Sequence, residues 1–146
     1  MMQDEGQRTR DQKSVTRSAA ASLVHTALEL AEAGGFQAAI AVVDEAGVLR
    51  AFQRTDGAPF LTAEIAINKA WTAASLGHPT HVWNALTANP GVAPLANLPR
   101  VIAVGGGYPL IENGKVVGGF AISGGTTQQD QDAACEAMRR LGFDVP

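Results

Sequence analysis

The sequence has little cysteine, few aromatic residues and no excess of positive charge. Its 146 residues include one cysteine, 5% aromatic residues and 17% charged residues, and the formal net charge is −3 at pH 7. A lone cysteine cannot form an intrachain disulfide, which is typical of a protein from a reducing compartment. Because the chain has no basic stripe, we do not expect nucleic acid to be its main partner.

Long apolar runs are also missing. No run approaches the roughly 20 residues that a membrane span needs, and the polar N-terminus lacks the apolar core of a secretory signal. We therefore expect a cytoplasmic protein with no membrane partner. The length corresponds to about one domain. Because the charged fraction is low, the surface has few groups that repel another copy, and we expect that the chain can self-associate.

What the sequence does contain is a regular succession of predicted helices and strands. Residues 1–13 are charged and aperiodic, which predicts a flexible tail ahead of a single domain over residues 14–146. The order of elements is α-ββ-αα-βββ-α, and tight turns such as Asn113-Gly114 make neighbouring strands antiparallel. The strands are predicted over residues 37–44, 48–53, 101–104, 108–111 and 115–123. The pattern therefore predicts an α/β fold of the α+β type, in which helices cover an antiparallel sheet.

Two glycine-rich segments, Gly105–Gly107 and Gly124–Gly125, are the first candidates for a ligand site. Glycine permits close backbone approach and exposes N–H donors. Neither segment has the spacing of a nucleotide-binding loop, and both also fit tight turns without a ligand. Ser123 and Thr126 offer hydroxyls at the start of a predicted helix, where free N–H groups attract carboxylates or phosphates. Asp130, in the first turn of that helix, complements the same dipole without any ligand.

Lys69 is a lone cation on an alanine-rich helix. Between Ala63 and Leu76, only Glu64 and Lys69 carry a charge. An ammonium group in apolar surroundings needs a partner. Three arrangements are open: Lys69 pairs with a ligand carboxylate, pairs with an acid elsewhere in the protein, or extends its stem so that the ammonium reaches water.

Histidine and cysteine provide neither a metal cluster nor an activated nucleophile. His78 and His81 flank a proline and lack a third ligand, so a structural zinc site is not predicted. Haem needs only one axial residue, so the absence of a histidine cluster does not exclude haem binding. Cys135 falls inside the last helix, where packing is the simpler interpretation.

Three stretches of the sequence resemble one known family, in the right order along the chain. They read AIAVVDEAGVLRAFQRTDGA, INKAWTAASLGHPTH and VIAVGGGYPLIENGKVVGGFAISGGTTQQDQDAA. Together they resemble the GlcG/HbpS family, which includes the C-terminal domain of PduO-type proteins, from about Val15 to Phe143. The resemblance implies a five-stranded antiparallel sheet with helices on both faces and assembly into homo-oligomers. It also implies binding of haem or a related tetrapyrrole in some members.

The same resemblance implies which residues line a ligand site. Lys69 stands at the lysine of the family's A-x-x-K-A block, and His25 lies on the helix that carries the candidate axial ligand in haem-binding relatives. The glycine blocks supply the remaining positions, Gly105, Gly106, Gly107, Pro109, Ser123, Gly124, Gly125, Gln129 and Asp130. The segment Phe120–Ile122 stands where many relatives have a glycine, which implies a narrower pocket.

Three functions follow from these observations, and each implies a different role for Lys69. The first, which we favour, is a haem- or tetrapyrrole-binding domain in which Lys69 neutralises a propionate. The second is an enzyme or accessory protein of organic-acid catabolism, whose anionic substrate binds Lys69 and the start of the last helix. The third is a structural oligomer without a ligand. The sequence identifies no catalytic residue and leaves open whether the chain catalyses a reaction.

Overall fold

The structure, a computed structural model, describes residues 6–146. Part of the predicted flexible tail, residues 1–5, lies outside the described residues. Residues 6–16 form no helix or strand and are exposed except for Val15. The Val15 N–H donates to the carbonyl oxygen of Val117 at 2.9 Å, which fixes the chain just before the first helix.

Four α-helices, one short 3₁₀-helix and four strands form the described part of the chain. In order they are α1 (Arg17–Ala33), β1 (Ala39–Asp44), β2 (Leu49–Arg54), α2 (Leu61–Leu76), α3 (Thr80–Leu86), the 3₁₀-helix (Ala93–Asn97), β3 (Gly107–Glu112), β4 (Lys115–Ser123) and α4 (Thr127–Arg140). Within residues 6–146, no helix is both long enough and apolar enough to cross a membrane.

The strands form one antiparallel sheet in the order β2-β1-β4-β3. The β3–β4 turn is made by Asn113 (φ 52°) and Gly114 (φ 77°), both left-handed as an Asn-Gly hairpin requires. Helices α1 and α4 cover one face of the sheet, and α2 covers the other. The predicted α+β fold with helices on both faces is therefore confirmed.

The prediction of a fifth strand over residues 101–104 is wrong, because these residues pair with no strand of the sheet. Their backbone groups bond instead to helix side chains. The Ile102 N–H donates to Thr72 Oγ1 at 3.1 Å, and Asn84 Nδ2 donates to the Ala103 carbonyl oxygen at 2.9 Å. The apolar stretch is thus a connection fixed to α2 and α3, and the sheet has four strands.

The two faces of the sheet pack differently. Towards α1 and α4 the sheet presents large side chains such as Phe120 and Ile122. On the other face, small residues of the sheet meet small residues of α2, namely Ala39, Ala41, Ala121, Ala66, Ala70 and Ala74. A Cβ added at Gly119 would overlap the Ala70 carbonyl, so α2 lies in backbone contact with β4. This close approach brings the middle of α2, including Lys69, against the sheet.

Candidate functional site

Lys69 is buried on the inner side of α2, with 2% of its surface exposed. Its Nζ donates to the carbonyl oxygens of Gly105 at 2.8 Å and Ile122 at 2.9 Å. The same Nζ lies 3.7 Å from Asp130 Oδ2 on α4. Of the three arrangements open from the sequence, the described structure contains the pairing of Lys69 with an acid elsewhere in the protein.

Asp130 is the buried anion of this pair and is 3% exposed. Its Oδ1 accepts the N–H of Gly125 at 3.0 Å. Burial raises the pKa of Asp130, and the Lys69 ammonium and the N–H donors of the glycine segment oppose that rise. Burial likewise lowers the pKa of Lys69, and Asp130 opposes that change. Each charge therefore limits the desolvation penalty of the other.

Glycine is required at Gly106 and Gly124 because both have left-handed backbone and close neighbours. Gly106 has φ 116°, and a Cβ there would lie 2.7 Å from the Ile122 carbonyl oxygen and 2.8 Å from Lys69 Nζ. Gly124 has φ 135°, and a Cβ there would overlap the Gln37 carbonyl oxygen. At these two positions the room left by glycine is filled by groups of the protein itself.

The other residues predicted from the glycine blocks have structural contacts of their own. The Gly107 N–H donates to Thr80 Oγ1 at 2.9 Å. Pro109 is buried in the edge strand β3 opposite Gly119. Proline lacks a backbone N–H, and in an edge strand this removes no hydrogen bond between two central strands. Ser123 ends β4 and is buried. Thr126 caps α4 and forms a capping box with Gln129.

The structure thus brings most of the predicted site residues together in one packed cluster, which we call the Lys69 cluster. It consists of Lys69, Gly105, Gly106, Gly107, Ile122, Ser123, Gly124, Gly125 and Asp130. Because the Lys69 ammonium is surrounded by two carbonyl oxygens and Asp130, an anion would have to compete with Asp130 to reach it.

His25 does not join this cluster. It lies on α1, which packs on the sheet face opposite α2. Its side chain is 76% exposed, and its Nε2 lies 2.7 Å from Glu29 Oε1 one turn along the helix. A neutral imidazole that donates from Nε2 keeps its lone pair on Nδ1.

His25 lines a groove between α1 and β2, which we call the His25 groove. The groove has a volume of ≈ 290 Å³. Its walls are mainly apolar and are formed by Ala21, Val24, His25, Leu28, Ala51, Phe52 and Gln53. An exposed imidazole beside apolar walls is suited to a flat, mostly apolar ligand that carries a metal.

The structure places in cavities two groups of residues that have no functional signature in the sequence. The first is Ala51–Gln53 of β2, which belongs to a predicted strand and to the first family block but carries no side chain that the sequence marks as functional. The second surrounds Trp71, whose ring lies 4.4 Å below the Arg100 guanidinium carbon. A usable signal was present, because both tryptophans of an aromatic-poor chain, Trp71 and Trp83, lie close together in sequence.

One known protein family matches most of the chain. The model of the HbpS-like family, described as "Haem degrading protein HbpS-like", matches residues 15–139. The chain therefore belongs to the HbpS-like family, and the resemblance identified from its three sequence blocks is confirmed.

Individual relatives support the same placement. The chain is 40% identical over 102 residues to an uncharacterized 15.0 kDa protein of the dhaT-dhaS intergenic region of Citrobacter freundii, covering 66% of this chain and 70% of that protein. It is 34% identical over 124 residues to the corrinoid adenosyltransferase PduO of Salmonella typhimurium, covering 82% of this chain. The match spans only 36% of that PduO protein, so it concerns one part of it.

Solved structures share the fold along almost the whole chain. The Klebsiella pneumoniae protein ORFY superposes with a TM-score of 0.89 at 31% identity, covering 94% of this chain and 97% of that one. A structure described as a PduOC:heme complex superposes with a TM-score of 0.84 at 29% identity, covering 90% of this chain and 97% of that one. The fold and the family are thus supported by both sequence and structure.

Proposed function

We propose that this chain binds haem or a related tetrapyrrole in the His25 groove, with His25 as the axial ligand. The observation that carries the proposal is an exposed imidazole lining an apolar groove. Imidazole is a common axial ligand of haem iron, and apolar walls with few polar groups are typical of small-molecule sites. The described residues thus fit the chemistry of the group.

Glu29 strengthens this assignment. Its carboxylate accepts from His25 Nε2 at 2.7 Å. Carboxylate partners of this kind fix the orientation of a metal-binding histidine and raise its basicity as a ligand. With Nε2 engaged, Nδ1 is the nitrogen left for a metal. When bound, haem would supply the iron and any redox chemistry, while the chain supplies the ligand nitrogen and the apolar surface.

The size of the groove limits how a tetrapyrrole fits. A volume of ≈ 290 Å³ lies at the lower end of the roughly 300–1,000 Å³ of ligand pockets. The groove therefore fits one part of the macrocycle and leaves the rest outside. A second copy of the chain covering that remainder is consistent with the homo-oligomer expected from the sequence.

The similar proteins also support haem binding. A relative of the same fold was solved as a PduOC:heme complex, and the family description refers to haem degradation. Ligand binding in the groove is the part of that chemistry that the geometry of this chain favours. We assign no catalytic residue.

The decisive experiment is a haemin titration of the purified protein, followed by the Soret absorbance. The wild type is expected to shift and sharpen the Soret band at about one haemin per chain. His25→Ala removes the axial nitrogen and is expected to weaken binding about tenfold or more. Because His25 is exposed and its pair with Glu29 is a surface interaction, the same variant should leave stability nearly unchanged.

The chain offers a matched control in its other exposed histidines. His78→Ala removes an exposed imidazole that does not line the His25 groove, and it should bind haemin like the wild type. A His25→Ala variant that binds haemin as tightly as His78→Ala would contradict the assignment. A wild type with no Soret change would contradict haem binding altogether.

The Lys69 cluster stays a second candidate for ligand contact, as the sequence blocks imply. In that arrangement a propionate or an organic acid would take the place of the Asp130 carboxylate beside Lys69 Nζ. A thermal-shift screen with small organic acids addresses it directly. Stabilisation of the wild type that is lost in Lys69→Met would support an acid site in the cluster.

A further inference from the structure

Strand β2, which forms one wall of the His25 groove, has an irregularity at Arg50. Val42 of β1 pairs with Ala51 and Val43 pairs with Leu49, so Arg50 is an extra residue without a partner on β1. Such a β-bulge redirects the side chains around it and is common beside functional sites. Here the bulge lies directly next to Ala51, which lines the groove.

The bulge changes the face of the sheet to which Arg50 belongs. In a regular strand, side chains alternate between the two faces, so Arg50 would share a face with Phe52, which packs against the alanine-rich cluster under α2. Instead, Arg50 Nη1 lies 3.5 Å from the carbonyl oxygen of Val15, just before α1. The Arg50 guanidinium therefore lies on the α1 side of the sheet, at the end of the groove where α1 begins.

Arg17 lies at the same end of the groove because of the helical period of α1. Arg17, Ala21 and His25 are spaced by four residues, so they form one row along the helix. Ala21 and His25 line the groove, and Arg17 continues their row by one turn, about 12 Å from His25 along the helix axis. One arginine on the helix and one on the strand thus flank this end of the groove.

Neither of these two guanidinium groups is neutralised by a described part of the protein. Arg17 and Arg50 are exposed, and neither belongs to an ion pair within residues 6–146. The charges at the opposite end are mixed, because Glu32 lies near the end of α1 and Arg54 near the end of β2. Arg54 is also engaged, since its Nη1 donates to the carbonyl oxygen of Ala58 at 2.7 Å. The end beside Arg17 and Arg50 is thus the positive end of the groove.

We propose that Arg17 and Arg50 bind the carboxylates of the ligand in the His25 groove, so that the site selects tetrapyrroles with free carboxylate side chains. Guanidinium groups suit this role because they bind a carboxylate through two parallel hydrogen bonds. The inference rests on the haem-binding function proposed above and adds the chemical class that the groove distinguishes. The apolar walls and His25 do not discriminate between tetrapyrroles that differ only at their carboxylates, whereas the two arginines do.

Haemin and its dimethyl ester test this directly, because they share the iron and the macrocycle and differ only in the two carboxylates. Soret titrations of both in one buffer with a dilute neutral detergent keep the two porphyrins soluble. We expect the wild type to bind haemin about tenfold more tightly than the ester. Arg50→Gln should weaken haemin binding about threefold, and Arg17→Gln/Arg50→Gln about tenfold, with the affinity for the ester unchanged in both variants.

Arg54→Gln changes the arginine at the other end of the same strand and is the matched control, which should keep the full preference for haemin. Equal affinity of the wild type for haemin and the ester would overturn the inference and leave haem binding intact. An equal loss for both porphyrins in the double variant, or a lost preference in Arg54→Gln, would also overturn it.

The three substituted side chains are exposed, so we expect the variants to fold, and circular dichroism checks this. If a variant fails to fold, the comparison of haemin and its ester on the wild type decides. A wild type that binds neither porphyrin would overturn the proposed function and this inference with it, which distinguishes that failure from a loss of the preference alone.

Discussion

Lys69 and Asp130 are opposite charges that the fold removes almost completely from water. Burial of such a pair is stabilising only when its remaining hydrogen-bonding capacity is also met. Here two carbonyl oxygens accept from Lys69, and a glycine N–H donates to Asp130. The glycine segments therefore give backbone groups to the ion pair, which is a structural reason for their position whether or not a ligand also binds there.

The first residue-scale prediction concerns Lys69→Met. Loss of the ammonium leaves Asp130 buried without its counter-charge, so we expect about 3–5 kcal/mol of destabilisation at neutral pH. The Asp130 pKa, already raised from 3.8 by burial, should rise further. A carboxyl with a raised folded pKa favours the folded state when protonated, so stability falls as pH rises from about 4 through the folded pKa. Urea unfolding at several pH values measures this.

The double variant Lys69→Met/Asp130→Asn is the informative companion. It removes both charges, so we expect it to regain part of the lost stability and to lack the added pH dependence. Lys115→Met, which alters an exposed lysine at the start of β4, is the matched control and should stay within about 0.5 kcal/mol of the wild type. Equal stability of Lys69→Met and Lys115→Met would show that the pair contributes little.

At the scale of elements, the sequence predicted the turns and helix caps, because these depend on contacts between residues close together in the chain. The turn at Asn113-Gly114 and the cap at Thr126 depend on residues within a few positions of each other. The prediction of a strand over residues 101–104 was wrong because the hydrogen-bond partners of these residues, Thr72 and Asn84, are distant in sequence. An apolar run of this kind has the composition of a strand, and only the tertiary structure shows that helix side chains take its backbone bonds.

The alanine-rich interface between α2 and the sheet leads to an element-scale prediction. A Cβ at Gly119 would overlap the Ala70 carbonyl, so Gly119→Ala must push α2 away from β4. We expect a loss of about 1–3 kcal/mol, as for other overpacked cores. Gly91→Ala, where the nearest atom lies 3.4 Å from the added Cβ, is the matched control and should be nearly neutral. If denaturant unfolding gives the same midpoint for both variants, α2 does not pack this closely.

At the scale of the whole molecule, the sheet separates two residues that the family resemblance had suggested for one ligand site. Lys69 projects from α2 on one face, whereas His25 lies on α1 on the other. The sequence singled out Lys69 as a lone cation on an apolar helix, and the family resemblance singled out His25. It could not show that they are apart, because the order of elements alone does not fix which face of the sheet each helix covers.

This separation gives a prediction about ligand binding that distinguishes the two candidate sites. The Lys69→Met/Asp130→Asn variant lacks the ion pair and keeps the His25 groove, so we expect its folded form to bind haemin with wild-type affinity. His25→Ala should show the opposite behaviour, with normal stability and weakened haemin binding. Soret titration of both variants, with folding checked by circular dichroism, makes the comparison. Weakened binding by the folded double variant would instead place the Lys69 cluster in contact with the ligand, because the affinity would then depend on charges that lie outside the groove.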